Sequence, residues 1–125
     1  NSILLLGADR IGHGTHVFWG ENADRIVREH NTMVECCLTS NVQTGAIKDI
    51  DEHPINKMRG LGIPVCINTD DPGVSDIDLT HEYYVARDEL GISLDGLKGM
   101  LLGATEHIFR PELAGKLKNR IETYF

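Results

Sequence analysis

The chain of 125 residues carries 19 acidic against 12 basic side chains, a formal net charge of −7, with 41% hydrophobic and 25% charged residues. That balance argues against nucleic acid or an anionic membrane as partner, and no apolar run approaches the roughly 18 residues of a membrane span. Three cysteines without a framework spacing and no stretch resembling a signal peptide point to a reducing, cytoplasmic setting, with Cys66 read as a small buried hydrophobe.

In chain order the pattern reads strand, helix, strand, helix, strand, then several helices. Ile3-Leu4-Leu5-Leu6 reads as the end of a helix, and strands are expected near 8–12, 33–37 and 64–68. Between them, Asn22 is placed to cap a helix over 23–30, and a second helix is expected near 47–60, punctuated by Gly60 and Gly62. Farther on, Leu79, Tyr83, Ala86 and Leu90 follow helical spacing through about 78–90. Ser93 is expected to cap a helix running to about 109, with Leu94, Leu97, Leu101 and Ile108 on its apolar side. Pro111 then opens a final amphipathic helix containing Leu113, Leu117 and Ile121. There is no internal repeat and no linker, so residues 1–125 read as one domain piece.

Each apolar strand breaks into polar residues at its carboxyl end, where parallel α/β folds place their sites. The third junction is the most informative. Ile63-Pro64-Val65-Cys66-Ile67 stops on Asn68-Thr69-Asp70-Asp71-Pro72-Gly73. Two adjacent carboxylates repel each other, and a cation or polar ligand gives a reason to place them there. Neighbouring residues also point in different directions, so Asp70 and Asp71 suit different tasks. An acidic turn that caps the next helix is the alternative. At the first junction, Arg10-Ile11-Gly12-His13-Gly14-Thr15 presents His13 between glycines, which suits proton handling near neutral pH. The middle junction is Glu35-Cys36-Cys37-Leu38-Thr39-Ser40-Asn41, whose Ser40 and Asn41 are candidates for a pocket floor.

These three motifs, in this order and at about this spacing, resemble the C-terminal portion of the metal-dependent adenosine deaminase family in its bacterial-type form. The resemblance runs through nearly the whole chain. It implies part of a (βα)8 TIM barrel, about strands six to eight with their helices, and a zinc-dependent hydrolysis of adenosine to inosine and ammonia in purine salvage, extending to 2′-deoxyadenosine. Carried over by position, Asp70 would be the carboxylate zinc ligand and Asp71 would hydrogen-bond the purine ring. His13 would be the catalytic histidine beside the zinc-bound water, orienting it and stabilising its hydroxide form. Zinc lowers the pKa of bound water towards about 7, which supplies a nucleophile at neutral pH.

The departures limit what the chain can do alone. The family's zinc site also uses a His-x-His pair, a further histidine, and a glutamate that protonates the ring. None of these motifs is present. A barrel of this kind takes about 250 residues, so the chain is expected to be a piece of a longer protein and catalytically incompetent by itself. The exposed strand edges, and an apolar interior face including Val34, Cys36, Val65 or Cys66, are expected to drive self-association or pairing with the missing half. Two alternatives remain: an adenine deaminase of the same family, and a non-catalytic α/β binding module. The adenine-specific relatives typically carry an aspartate at the position of Gly12 and a serine at that of Thr69, so this chain resembles the nucleoside enzymes. Of the other histidines, His30, His53, His81 and His107 read as structural or surface residues. His16 lies near the first junction without a clear role. Trp19, Tyr83 and Tyr84 read as core or rim residues.

Overall fold

The computed structural model describes residues 2–125. Three short strands, β1 (Arg10–Gly12), β2 (Met33–Cys36) and β3 (Val65–Ile67), form a parallel sheet in the order β1-β2-β3. The register sets Ile11 beside Val34 beside Val65, and Gly12 beside Glu35 beside Cys66. Parallel neighbours need crossovers, and helices supply them. Helix α1 (Ser2–Leu6) precedes β1, and α2 (Ala23–Glu29) joins β1 to β2. Between β2 and β3 lie α3 (Leu38–Gln43), a 3-10 turn (Ile50–Glu52) and α4 (Ile55–Gly60). After β3 come α5 (Pro72–Ser75), α6 (Leu79–Asp88), α7 (Leu94–Ala104), a 3-10 turn (Pro111–Leu113) and α8 (Ala114–Tyr124). No helix among the described residues is long and apolar enough to cross a membrane.

Strand alternation decides where the core sits. Val34, Cys36, Val65 and Ile67 share the helix-covered face, buried with Val27, Ile55, Met58, Ala86, Leu97 and Met100. The opposite face buries Met33 at one end and is polar toward the carboxyl ends of the strands. Arg10 pairs with Glu35 and donates from Nη1 to the His107 carbonyl at 2.9 Å, while Asn68 Nδ2 donates to the other Glu35 oxygen at 3.1 Å. This corrects the expected apolar interior: Val34, Cys36 and Val65 already have their packing partners. Cys66 is the member of that set on the polar face, half-buried and 3.8 Å from Arg10 Nη2, so it is no core hydrophobe.

Several element boundaries differ from expectation for local reasons. The span near 47–60 is not one helix. His53 precedes Pro54 and sits at φ −64°, ψ 127°, the extended region that a following proline favours, so only α4 continues beyond it. Asn22 adopts φ 59° and its side chain makes no cap, although its carbonyl accepts from Ile26 N–H at 3.0 Å. Ser93 does cap α7, its Oγ accepting from Gly96 N–H at 3.1 Å, but that helix ends at Ala104 and leaves His107 and Ile108 beyond it. Asp78 caps α6, its Oδ1 accepting from His81 N–H at 2.7 Å. Of the two readings for Trp19, core or rim, its exposure leaves the rim.

Gly14 is required twice over. It sits at φ +62°, and a Cβ built there would overlap Val34 Cγ1. Valine is stiff at χ1 and this one is buried, so little can give. Gly14→Ala in the full-length gene product is expected to destabilise it by on the order of 3 kcal/mol. Denaturant unfolding checks this, and an unchanged midpoint would show that Val34 yields freely.

Candidate functional site

Because the three strands are adjacent and parallel, their carboxyl ends open side by side, and the three junctions read from the sequence meet there. His13 follows β1 directly, its backbone N–H extending the ladder to the Glu35 carbonyl at 2.8 Å. Gly14 N–H then returns to the Gly12 carbonyl at 2.8 Å, with His13 at φ 63°, a tight three-residue turn of the strained kind. At the end of β3, Asn68 N–H bonds the Cys36 carbonyl at 2.9 Å, and Asp70 turns off at φ 60° with its N–H on Asn68 Oδ1 at 3.3 Å. Two non-glycine residues in the left-handed region at facing strand ends mark a place where packing overrules backbone preference.

The side chains converge. His13 Nε2 lies 3.9 Å from Asp70 Oδ2, beyond a direct hydrogen bond and within the span of one bridging oxygen. Both side chains keep more than two-fifths of their surface open, 46% for His13 and 42% for Asp70, so a ligand can reach them. Ser40 Oγ donates to the same Asp70 oxygen at 2.7 Å and fixes its orientation. On the other side of the imidazole, Asn41 Oδ1 lies 2.8 Å from His13 Nδ1, and Asn41 Nδ2 lies 3.0 Å from His53 Nε2. His53 Nδ1 accepts the Ile55 N–H at 3.2 Å, and burial lowers the pKa of this imidazole to about 4, so it is neutral at physiological pH.

Asp71 sits one residue on and does different work. Its Oδ1 accepts from Gly73 N–H at 3.1 Å and Val74 N–H at 3.2 Å, capping α5 behind Pro72. The capping alternative therefore holds for this carboxylate. Its Oδ2 has no protein partner among the described residues and remains available to a ligand. His16 stacks on Trp19, ring centroids 3.8 Å apart, and has no hydrogen bond to either carboxylate among the described residues.

Ser40 and Asn41 ride on α3, a helix of six residues that is too short to hold itself. Its amino end is secured by Glu82 of α6, fully buried, which accepts from Leu38 N–H at 2.7 Å and Thr39 N–H at 3.1 Å. Neither Glu82 nor the link from Asn41 to His53 was visible in the sequence. Glu82 was hidden in the apolar pattern of its helix, and His53 read as structural because of Pro54. The cysteines beside the site are not activated. Burial pushes the Cys37 thiol up to about 11, with Asp70 adding to the effect, and burial raises Cys36 further.

Zinc takes three or four protein ligands. Among the described residues no group of three His, Cys, Asp or Glu side chains gathers to hold a metal. An open carboxylate, oriented by a serine and facing an imidazole, fits one ligand position with an adjacent proton-handling group. It does not make a complete centre.

The adenosine deaminase family profile matches residues 1–123. An adenosine deaminase of Aliivibrio fischeri is 38% identical over 108 residues, which are 86% of this chain and 32% of the relative. One of Pseudoalteromonas translucida is 43% identical over 92 residues, 74% of this chain and 28% of the relative. The chain thus spans about a third of the length of these relatives. Among solved structures, the adenine deaminase of Arthrobacter aurescens superposes with a TM-score of 0.91 at 19% identity, covering 98% of this chain and 38% of that one. The N6-methyl-AMP deaminase of Arabidopsis thaliana gives 0.83 at 29% identity, covering 93% and 34%. The first likeness shows the fold alone: part of an α/β barrel. The profile match over residues 1–123, with the bacterial relatives, establishes that this chain belongs to the adenosine deaminase family.

Proposed function

We propose that the full-length gene product is a zinc-dependent adenosine deaminase of purine salvage, cytoplasmic, acting on adenosine and 2′-deoxyadenosine. The observation that carries this reading is the convergence of His13, Ser40 and Asp70 at the ends of three adjacent strands, in a chain whose curated relatives are adenosine deaminases. In the reaction, water adds to the ring carbon bearing the amino group, that carbon's bond to the exocyclic nitrogen breaks, and inosine and ammonia leave. When bound, zinc would supply the acidity that makes water a nucleophile near pH 7.

This chain's residues divide the remaining work. Asp70 offers Oδ2 as a ligand oxygen, with Ser40 occupying one of its lone pairs and setting its direction. His13 faces the same point from 3.9 Å and holds the attacking oxygen by a hydrogen bond from Nε2. Asp71 presents Oδ2 to the purine ring while Oδ1 keeps the α5 cap. The further ligands and the ring-protonating acid come from segments outside these residues.

The test is a comparison of adenosine, adenine and N6-methyl-AMP as substrates for the zinc-loaded full-length gene product. Adenosine is expected to turn over with the highest kcat/KM. Preference for the free base would assign the protein to the adenine-specific branch. Failure to bind zinc or to deaminate any purine would leave the non-catalytic binding module as the reading.

A further inference from the structure

The Asn41 amide stands between two imidazoles, and the hydrogen count there does not close as the groups are placed. Ile55 N–H donates to His53 Nδ1, and Asn41 Nδ2, also a donor, points at His53 Nε2. A neutral imidazole has one lone-pair nitrogen and one N–H, so it cannot accept at both. The backbone donor is fixed by the start of α4; the side-chain amide is not. Its oxygen and nitrogen have nearly the same shape, so its partners decide which way it lies.

We propose that Asn41 takes the reversed orientation, with Oδ1 accepting from His53 Nε2–H and Nδ2–H donating to His13 Nδ1. Asn41 and His53 are then positioning residues that place the His13 proton on Nε2. The relay runs one way from the backbone: Ile55 N–H to His53 Nδ1, His53 Nε2–H to Asn41, Asn41 N–H to His13 Nδ1. Each donor meets an acceptor, at 3.2, 3.0 and 2.8 Å. All of Asn41 and nearly all of His53 lie away from solvent, so water does not readily substitute for a missing partner. The low pKa of His53 agrees with its neutral state in this relay.

The consequence is chemical. With its proton on Nε2, His13 approaches the reacting oxygen as a hydrogen-bond donor that orients a lone pair, not as a neutral base that removes a proton. This kinetic consequence rests on the proposed deamination; the proton's position does not. Ring 15N spectra of the zinc-loaded full-length gene product, taken where free imidazole is neutral (about pH 8), read it directly, with His13 assigned from the His13→Asn variant. Nε2 protonated and Nδ1 bare is expected for both His13 and His53. Asn41→Asp keeps the shape but offers only acceptors, so it should put a proton on His13 Nδ1. It should also lower kcat by roughly 10²- to 10⁴-fold, with zinc retained and KM little changed. A proton on Nδ1 of wild-type His13, or an unchanged His13 tautomer in Asn41→Asp, overturns the proposal. Should that variant not fold, the wild-type spectrum decides alone. A wild-type protein with the expected tautomer but no deamination would remove the proposed function and leave the relay standing.

Discussion

In the full-length gene product, Asp70→Ala is expected to lose bound zinc and deamination together, with activity falling to background. In the proposed site this carboxylate is the ligand the chain would supply, and Ser40 donates to it at 2.7 Å. Asp71 should behave otherwise. Asp71→Ala should keep zinc and lower kcat/KM by roughly 10- to 150-fold, the range for losing one hydrogen bond made by a charged group. Asp71→Ala also removes the α5 cap, about 1 kcal/mol of stability that denaturant unfolding separates from the functional effect. His13→Ala should retain zinc and lose roughly 10²- to 10⁴-fold in kcat. Metal content by emission spectrometry, alongside steady-state kinetics, separates the three. Zinc retained in Asp70→Ala and stripped in Asp71→Ala would reverse the assignment of the two carboxylates.

The second large effect concerns the 125-residue polypeptide produced by itself. It is expected to show no deamination above background and no tight zinc binding, because one carboxylate and one neighbouring imidazole fall short of the ligands that zinc needs. We propose that it also associates, with itself or with the remainder of a barrel. The outer edges of β1 and β3 are unpaired among the described residues, and such edges are templates for another strand. The driving contact is not the apolar barrel interior first expected, since Val34, Cys36 and Val65 are already covered by helices. It comes from the strand edges and from apolar side chains left open elsewhere, with Leu5 76%, Leu6 82% and Phe109 83% exposed. Turnover by the purified polypeptide would end the half-site reading. A monomer in light scattering at micromolar concentration, unfolding cooperatively, would end the association proposal.

Much of this arrangement was legible in the sequence because short-range rules govern it. The three strands announce themselves as β-branched runs bounded by turn residues, and each lies within two residues of its expected ends. His13, Asp70 and Asp71 stand out as polar residues where such runs stop. The errors came where contacts between distant residues decide. Which strand face turns inward depends on the Arg10–Glu35–Asn68 network, joining three segments, and a polar interior runs against the usual inference from apolar alternation. The break at His53 is legible from the following proline, against the longer helix that the 47–60 pattern suggests. Asn41 and His53 come together through a contact that appears only when α3 meets the 3-10 turn before α4. No pattern within either segment signals it.

The buried carboxylate of Glu82 ties the stability of α3, with Ser40 and Asn41, to a helix that lies beyond β3 and Asp70. Helix α3 has few turns and its amino end is held by Glu82, so α3 and α6 are expected to open and close together, which hydrogen exchange of Leu38 and Thr39 would check. Ser40 and Asn41 leave with it. The hydrogen bond of Ser40 to Asp70 and the contact of Asn41 with His13 therefore persist only while α6 stays seated, and a local opening there would undo the proposed site without moving β1 or β3.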